Sequence, residues 1–542
     1  MNEFPGHQSV DGQGSRLHII FMYHELHCPL PHTMQCLAKE FFRIEDRREC
    51  REASPKKDLP STLVCIESLG EGCLSVKPCG FHKGFERLGR RAIFQSKPVL
   101  LSRFGGISVL KNQLSFCVSL ARSSSFSMTA TMFYVGCYTR VEGHVPGGKG
   151  EGATIGMMSD NGDLHRVTLK PKEGTSSCNQ PIVNPSYLCC GPVPDVIYVV
   201  QETGDKEGDS VLALQVQVDA DKKGGSYEIV DSITSGGGLA NCYITCCRTC
   251  AVGRDFLFVA GYCSGTMTLI EVDSATGGFK GNAPLQVVKF TGTGPNKERQ
   301  EASHAHHVAV SPGCGWVLVC DLGSDKVWSV NFEKLITDGH PPTEEELKET
   351  ALTCPPGCGP RHLVFHPKNP QIFFVVCELN ATVLRCQLDE ESGKAAILDE
   401  VSCVSERSQQ LQKENGNRVC MPSAIVIHPN AGTLFVGNRF VDNIGVLQPG
   451  DNANADGKLR FIGEFPCGGA TPRDICLAPC GNRLLVANQD SDSISSVDIT
   501  SWLKLAVAAV GSASKEEFQK EASDMATPTC VEWPSPSCIC FA

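Results

Sequence analysis

The sequence of 542 residues contains no uninterrupted apolar run of 18 residues, so a membrane-spanning helix is not expected. No apolar segment follows a basic start at Met1, as a secretory signal requires. Basic residues are also not in surplus: 49 Lys and Arg stand against 60 Asp and Glu, a net charge of −11. We therefore expect a cytoplasmic protein that binds neither membranes nor nucleic acid.

Several catalytic motifs are absent too. The sequence has no HExxH pair of a zinc hydrolase, no GxSxG of a serine hydrolase, and no Walker or GxGxxG phosphate loop. Neither a metal nor another cofactor is expected. Of the 30 cysteines, Cys320 and Cys377 lie in apolar runs typical of structural thiols. The single CxxC pair, Cys247 and Cys250, keeps a zinc or redox site open as the alternative.

The first 127 residues differ in composition from the rest. Residues 1–127 carry 17 basic and 12 acidic residues, whereas the remainder carries 32 and 48. The segment 81–127 is rich in Ser and Arg, with Glu86 as its one acidic residue. Such composition is typical of an organelle-targeting segment, but that segment would start the chain. We expect residues 1–127 to be a poorly ordered extension, or translation to begin near Met128, with targeting as the alternative.

From Met132 onward the chain repeats a unit of several short strands. Each unit has an apolar strand, a turn, a second strand ending in a polar pair, and a third strand; the equivalent starting positions are Tyr187, Tyr243, His307, His362, Ile425 and Asp474. Such repeats are typical of β-propellers. Six full units and one partial unit predict an all-β fold with seven blades over residues 128–542. An open β-sandwich with long loops is the alternative.

The partial unit at the start of the repeats lacks an innermost strand. The segment MFYVGCYT from Met132 resembles the second strand of other units, such as LFVAGYCS. Near the end of the sequence, PTCVEW at 528–533 resembles the unit starts PRHL and PRDI. We therefore expect residues 528–533 to complete the first blade, which ties the ring together and leaves no free sheet edge.

The repeats also locate a site, because the innermost strand of every blade faces the central channel. One ring should consist of Ser186, Cys242, His306, Arg361, Ala424, Arg473 and Thr529. The polar pairs should supply a second ring of Gln201, Gly261, Asp321, Glu378, Asn438 and Asn488, with Glu202, Arg439 and Gln489 beside it. These positions vary between blades and include charged side chains, as a shared asymmetric site requires.

Arginines beside a carboxylate and a histidine suit an anionic ligand and proton transfer. Simpler roles remain open for the same residues. Arg361 and Glu378 can form an ion pair that only rigidifies the channel, and Arg473 can pair locally with Asp474. His306, in the segment SHAHH, can bond a backbone carbonyl.

At these residues the sequence resembles the seven-bladed propeller lactonases, a family typified by bacterial-type 6-phosphogluconolactonase. The resemblance covers about Met132 to Trp533 and rests on YVGCYTR, NPSYL, GTGPNKERQEASHAHHVAVSP, GPRHLVFHP, CELNATV, GNRFVDNI, GGATPRDI and VANQDSDSI. It implies metal-independent hydrolysis of 6-phospho-D-glucono-1,5-lactone in the pentose phosphate pathway. The implied partner is this phosphorylated sugar lactone, and the protein is expected to be a monomer or weak homo-oligomer.

The resemblance also implies the site residues. The catalytic set corresponds to His306, Glu378, Arg361 and Arg439, with Arg473 nearby. From the polar residues at and beside the two rings, we further expect Arg473, His304, Asn438 and Gln489 to bind substrate. Three positions depart from the family pattern, with Ala424 in place of a Glu, Tyr243 in place of a His and Gly261 in place of an Asn.

A lactonase needs an activated water and stabilisation of a developing oxyanion. His306 or Glu378 would act as the general base, and Arg361 and Arg439 would bind the carbonyl oxygen or the phosphate. Proximity to Arg361 should lower the pKa of Glu378, which slightly favours His306 as the base. Two other functions remain open: an enzyme acting on a carboxylate substrate such as a muconate, and a non-catalytic interaction scaffold.

Overall fold

The computed structural model describes residues 19–20, 64–69, 73–78, 130–142, 148–175, 181–204, 209–219, 223–248, 253–414, 416, 418–430, 432–449, 457–508 and 528–542. The chain divides into two compact units, Met1–Ser124 and Ser125–Ala542. In the first unit, β1 (Ile19–Ile20) pairs in parallel with β2 (Val64–Leu69), which pairs antiparallel with β3 (Cys73–Pro78). The expectations of poor order and targeting for residues 1–127 lie mostly outside the described residues and stay predictions.

The second unit is a seven-bladed β-propeller, as the repeats predict. From the channel outwards, blade 1 contains β31 (Pro536–Phe541), β4 (Thr131–Cys137), β5 (Gly152–Met158) and β6 (Leu164–Pro171). Blade 2 contains β7 (Pro185–Cys190), β8 (Val196–Gln201), β9 (Ser210–Val218) and β10 (Gly224–Thr234). Blade 3 contains β11 (Asn241–Arg248), β12 (Asp255–Gly261), β13 (Thr266–Val272) and β14 (Gln286–Lys289).

The remaining four blades are separate four-stranded antiparallel sheets. Blade 4 contains β15 (Ala305–Val310), β16 (Trp316–Asp321), β17 (Lys326–Asn331) and β18 (Leu352–Thr353). Blade 5 contains β19 (Pro360–Phe365), β20 (Ile372–Cys377), β21 (Thr382–Leu388) and β22 (Ala395–Ser402). Blade 6 contains β23 (Met421–Ile427), β24 (Leu434–Arg439), β25 (Asn443–Gln448) and β26 (Arg460–Pro466). Blade 7 contains β27 (Pro472–Leu477), β28 (Arg483–Asn488), β29 (Ser493–Asp498) and β30 (Thr529–Glu532).

Four short helices lie in the connections: α1 (Phe332–Thr337), α2 (Glu344–Thr350), α3 (Glu406–Glu414) and α4 (Thr500–Ala508). Helix α2 begins with a capping box, in which Thr343 and Glu346 bond each other's backbone N–H groups. In the described part of the chain, no helix has the length and apolar character needed to cross a membrane.

The ring closes between the two ends of the second unit. Strand β31 pairs antiparallel with β4, and it also packs against the innermost strands β27 and β7 on either side. Blades 1 and 2 are further joined at their outer edges, where β10 pairs in parallel with β6. The C-terminus therefore supplies the innermost strand of blade 1, as expected.

The segment predicted to make that closure was wrong. Residues 528–533 contain β30, which pairs with β29 as the outermost strand of blade 7, and the closing strand β31 follows Ser535. Trp533 stands between these strands and is fully buried; its Nε1 donates to Thr154 Oγ1 at 2.9 Å. PTCVEW resembles the unit starts because it also begins with a proline. Pro528, however, precedes the outermost strand of blade 7 and not an innermost strand.

Apolar side chains fill the spaces between blades, because each blade buries both faces of its sheet against its neighbours. The described residues form seven buried clusters, and each spans one pair of adjacent blades. Cys320 and Cys377 are fully buried free thiols within the cluster between blades 4 and 5, consistent with their expected structural role. Cys250 lies outside the described residues, so the metal or redox alternative for its CxxC stays untested.

Candidate active site

Every innermost strand begins with a β-bulge at the same end of the channel. The antiparallel register with the second strand shifts there in all seven blades. A bulge adds a residue to one strand and re-aims its side chain, which makes it a common way to build a site. The bulged residues are Ser186, Cys242, His306, Arg361, Ser423 with Ala424, Arg473 and Ser537.

The aligned positions of blades 2, 3, 4, 5 and 7 lie in this bulge ring, the blade 6 bulge contains Ser423 as well as the aligned Ala424, and the position aligned for blade 1 was wrong. Ser537, not Thr529, is the member in blade 1, since Pro536 pairs with Cys137 and Cys538 with Gly136. The sequence contains a signal that identifies it. The tripeptide SPS ending at Ser537 matches NPS ending at Ser186 more closely than PTC does.

A second ring consists of the residues that directly follow the second strands, which we call the rim ring. In six blades, the backbone N–H of the rim residue donates, at 2.8–3.0 Å, to the carbonyl of the residue two positions before the bulged residue. These pairs are Tyr138 to Ser535, Glu202 to Asn184, Tyr262 to Ala240, Leu322 to His304, Glu378 to Gly359 and Gln489 to Thr471. Arg439, the last residue of β24, occupies the equivalent place in blade 6, because Pro422 pairs with Asn438 as Pro360 pairs with Cys377. Five of the accepting residues have φ between 43° and 63°, in the left-handed region. The turn that they make directs the bulged residue towards the channel.

The rim ring corrects the sequence alignment by one residue in blade 5. Pro360 pairs with Cys377, as Ala305 pairs with Asp321, so Cys377 is the equivalent of Asp321. Glu378 therefore belongs with Glu202 and Arg439. Asp321 in CDL and Glu378 in CEL look equivalent in the sequence. Asp321 is the last residue of its strand, however, whereas Glu378 follows the last residue of its strand.

Four bulged residues have a purely structural contact in common. Each donates its hydroxyl or thiol to a backbone carbonyl at the start of the next blade's innermost strand, namely Ser186 to Asn241, Cys242 to Ala305, Ser423 to Pro472 and Ser537 to Pro185. The ring positions of blades 4, 5 and 7 instead carry His306, Arg361 and Arg473. These three side chains are larger and titratable, and of them Arg361 also donates to a carbonyl of the next blade, that of Ser423.

Glu378 is the centre of an arginine cluster. Its side chain is 3% exposed; Oε2 lies 2.9 Å from Arg361 Nε and 2.8 Å from Arg439 Nη2, and Oε1 lies 2.6 Å from Arg299 Nη2. Burial opposes ionisation of Glu378, but the three guanidinium groups outweigh burial and hold the pKa of that carboxyl well below its usual range. Glu378 is thus a stable anion and a weak base.

Two of these arginines are built into the channel wall. Arg361 also donates to the carbonyl of Ser423, and Arg439 Nε donates to the carbonyl of Met421 at 2.9 Å. Burial, together with the nearby Arg439, lowers the pKa of Arg361 to about 10. Both therefore remain charged at neutral pH, in a place where water screens little of that charge.

Arg299 is the member of the cluster that the sequence prediction missed. It lies in the loop between β14 and β15, within the segment GPNKERQ. No other repeat has an equivalent residue in the aligned positions, so the repeat comparison could not reveal it. The loop reaches the site because Gln300, fully buried, donates to Asp325 Oδ1 at 2.8 Å and to the carbonyl of Leu322 at 2.9 Å.

A second charged group lies at the same end of the channel, across blades 7, 1 and 2. Arg473 Nη2 lies 3.2 Å from Glu202 Oε2, and its guanidinium stands 4.9 Å from the ring centre of Tyr138. Tyr138 donates its hydroxyl to the same Glu202 oxygen at 2.5 Å. Burial and the Glu202 charge raise the pKa of Tyr138, which therefore keeps its proton. The ion pair of Arg473 is thus with Glu202 rather than with Asp474.

His306 lies beside the arginine cluster as a buried, neutral imidazole. It is 6% exposed, its Nδ1 has no hydrogen-bond partner among the described residues, and its ring is 5.6 Å from that of Tyr262. Burial and the Arg361 charge hold the pKa of His306 well below its usual range. A neutral imidazole is able to accept a proton from a bound water; the lowered pKa weakens it as a base and makes its protonated form a stronger acid.

The structure does not support a direct ligand role for His304 and Asn438. His304 Nδ1 lies 3.0 Å from the carbonyl of Tyr262 and Nε2 3.0 Å from Glu301 Oε1, so both ring nitrogens are engaged. Asn438, fully buried, donates from Nδ2 to the carbonyl of Cys403 and to Asn443 Oδ1, each at 2.9 Å. The side chains of both residues therefore hold neighbouring segments of the chain in place.

Gln489 remains a candidate at the rim. It is 5% exposed, its Nε2 donates to Asp490 Oδ1 at 3.1 Å, and its Oε1 has no partner among the described residues. The structure shows no group of three or more His, Cys, Asp or Glu side chains suited to a metal within its described residues. The absence of a metal requirement stays a prediction.

The cluster as a whole carries an excess of positive charge. Four guanidinium groups stand around two carboxylates, Glu378 and Glu202. Buried arginines that already have fixed partners need little rearrangement to stabilise a new negative charge. The chemistry available is therefore binding of an anion, stabilisation of an oxyanion, and proton transfer through His306.

Known proteins share this architecture. Residues 132–511 match the model of the family described as lactonase, 7-bladed beta-propeller. A 6-phosphogluconolactonase of Bacillus subtilis is 25% identical over 373 residues, which are 68% of this chain and 90% of that protein. A 6-phosphogluconolactonase of Formosa agariphila is 27% identical over 313 residues, 58% of this chain and 80% of that protein.

Solved structures show the same fold. The periplasmic gluconolactonase of Pseudomonas aeruginosa has a TM-score of 0.55 with 22% identity, covering 76% of this chain and 99% of that one. At 22% identity, this likeness shows the fold only. The family match, by contrast, spans most of the chain. The protein therefore belongs to the seven-bladed β-propeller lactonase family.

Proposed function

We propose that this protein hydrolyses 6-phospho-D-glucono-1,5-lactone to 6-phosphogluconate at the channel end that carries Glu378 and its arginines. The observation that carries the proposal is the charge excess around the neutral His306. Four arginines against two carboxylates leave two positive charges, the number needed to neutralise a phosphate dianion. The relatives that are named 6-phosphogluconolactonases support the same substrate.

His306 acts as the general base in the proposed mechanism. It takes a proton from a water that attacks the lactone carbonyl, and the imidazolium then protonates the departing ring oxygen. The low pKa of the free imidazole makes its protonated form a good acid for that second step. Glu378 is unsuited to the base role, because three guanidinium groups stabilise its anion.

Arg361 and Arg439 stabilise the oxyanion of the tetrahedral intermediate. Their shared contact with Glu378 Oε2 fixes both guanidinium groups before substrate arrives. One such preorganised donor is worth about 3 kcal/mol in the transition state, or about a hundredfold in rate. Glu378 acts as the positioning residue for both arginines.

The test uses the full chain and freshly generated 6-phosphogluconolactone, with lactone loss followed against spontaneous hydrolysis. We expect acceleration by the wild-type protein and its loss in Arg361→Ala. A matched control is Arg254→Ala, since Arg254 pairs with Glu271 on the outside of blade 3. Absence of acceleration by folded wild-type protein overturns the proposal. A panel of carboxylate lactones then tests a muconate-type activity, and an inert panel favours the scaffold function.

A further inference from the structure

Arg299 differs from the other arginines of the cluster in how it is held. Its side chain is 33% exposed, whereas those of Arg361 and Arg439 are 3% and 10% exposed. Its contacts are with side chains: Glu378 Oε1 at 2.6 Å, the Tyr262 hydroxyl at 3.3 Å and Met421 Sδ at 4.0 Å. Arg361 and Arg439 are additionally fixed to backbone carbonyls.

The backbone under Arg299 is fixed, so its side chain is the movable part. Asn296 Oδ1 accepts from the N–H groups of Glu298 and Arg299, and the carbonyl of Asn296 accepts from Gln300 N at 2.7 Å. The buried Gln300 then anchors the turn to blade 4. A fixed backbone with a partly exposed guanidinium at the rim is the arrangement of a substrate clamp.

The guanidinium of Arg299 has one nitrogen that is only weakly engaged. Nη2 makes both the Glu378 and the Tyr262 contacts. Nη1 makes one long contact, to Met421 Sδ at 4.0 Å. The N–H groups of Nη1 are thus available as charge-assisted donors to an oxygen of an anionic substituent.

We infer that Arg299 binds the charged substituent of the substrate and thereby makes the site select anionic over neutral lactones. Arg361 and Arg439 remain with Glu378 and the reacting carbonyl, so the two tasks fall to different arginines. This inference rests on the proposed function for the identity of the lactone. The competing explanation is that Arg299 only neutralises Glu378 and contributes nothing to substrate choice.

The experiment compares Arg299→Gln and Arg299→Lys with wild type on two substrates, 6-phosphogluconolactone and uncharged glucono-1,5-lactone. A charge-assisted contact corresponds to about 10- to 100-fold in binding. We expect Arg299→Gln to raise KM for the phosphorylated lactone by that factor and to change KM for the neutral lactone far less. Any loss of kcat that passes through Glu378 should be equal on the two lactones. Arg299→Lys should recover part of the affinity for the phosphorylated lactone, because lysine keeps the positive charge but lacks the planar guanidinium.

Arg254→Gln is the matched control. Arg254 is also 33% exposed and also pairs with a glutamate, Glu271, but it precedes β12, at the opposite end of that strand from Tyr262. Its substitution should change neither substrate's kinetics. A KM that rises equally for both lactones in Arg299→Gln, or unaltered kinetics, overturns the inference in favour of the structural explanation.

A binding measurement separates this inference from the proposed function. Isothermal titration with 6-phosphogluconate needs no turnover, so it tests Arg299 even if the wild-type protein hydrolyses neither lactone. We expect wild type and Arg254→Gln to bind 6-phosphogluconate and Arg299→Gln to bind it about tenfold or more weakly. Equal affinity in all three proteins, or no binding by wild type, refutes the role of Arg299.

Discussion

Arg361 Nε lies 2.9 Å from Glu378 Oε2, and each of the two side chains is only 3% exposed. A buried pair of this kind gains little net stability from its own attraction, because both groups have lost their hydration. Removing one partner is nevertheless costly, since the other charge stays buried without compensation. Stability and activity are therefore coupled at this pair.

Glu378→Gln should lose both activity and stability. The substitution leaves three guanidinium groups around a neutral amide, and we expect the free energy of unfolding to fall by about 3 kcal/mol. Turnover of the proposed substrate should fall by at least about a hundredfold, because the arginines lose their positioning anion. Chemical denaturation and lactone hydrolysis measure the two effects on one sample.

Glu271→Gln is the control for that prediction. Glu271 also contacts two cations, Arg254 and Lys280, but on the outside of blade 3. Its removal should cost about 1 kcal/mol or less and leave turnover intact. If Glu378→Gln is as active and as stable as Glu271→Gln, Glu378 is neither the anchor of the cluster nor part of the mechanism.

Arg361→Lys should fail although it conserves the charge. Arg361 contacts Glu378, the Ser423 carbonyl and His362 Nε2 at once, and a lysine ammonium cannot span these three directions. We expect kcat to fall about a hundredfold. Arg385→Lys, at a partly buried pair with Asp399 in blade 5, should keep full kcat. Equal activity of both variants contradicts an oxyanion role for Arg361.

Asp474 should make stability depend on pH near neutrality. It is 3% exposed, accepts from the backbone N–H of Ile539 at 2.9 Å, and burial raises its pKa to about 7. A carboxyl with a raised pKa in the folded state contributes stability that is complete below its unfolded pKa of about 4. That contribution is lost as the pH rises through about 7.

Asp474→Asn tests this pH dependence. Between pH 5 and pH 8, the wild-type protein should lose about 2 to 3 kcal/mol more stability than the variant, as measured by denaturant unfolding. Six neighbouring side chains have pKa values displaced out of this range, namely Tyr187, Tyr243, His307, His362, Cys476 and Cys538. The hydrogen bond with Cys190 lowers the pKa of the Cys540 thiol, and Asp474→Asn retains that thiol, so the comparison of the two proteins isolates Asp474. Parallel pH profiles for the two proteins would show that Asp474 is ionised throughout.

Trp533→Ala should weaken the junction where the ring closes. The indole is fully buried, its ring centre is 5.8 Å from that of Phe133, and its Nε1 bonds Thr154. Truncation of a buried tryptophan costs about 3 to 5 kcal/mol. Trp533→Phe should retain more than half of that stability, and thermal unfolding ranks the three proteins. No loss in Trp533→Ala would mean that blade 1 closes without this contact.

The repeat pattern was sufficient to predict the propeller and most of the bulge ring. The second strands are largely apolar in every unit, which fixes the repeat, and one position of the innermost strands then carries His306, Arg361 and Arg473. Glu378 was placed one residue out of register, because the alignment followed acidic side chains instead of the apolar strand before them. Strand pairing, which the sequence does not display, decides that register.

Two further features depend on contacts between distant segments. Arg299 lies in a loop without counterparts in the other units, and its 2.6 Å contact with Glu378 joins residues 79 positions apart. Asn438 is polar and in register with the ring, but its amide turns back to Cys403 and Asn443. Side-chain direction at the end of a strand is decided by the hydrogen bonds available nearby, which residue type alone does not reveal.

Blade 1 contains three strands from the beginning of the propeller and one, β31, from the last residues of the chain. During synthesis on a ribosome, the other six blades emerge while β4 still has an open edge facing the channel. That edge is covered only after Pro536–Phe541 leave the exit tunnel. The Tyr138–Glu202–Arg473 group spans this same junction, so the site is completed only when the first and last blades of the propeller have come together.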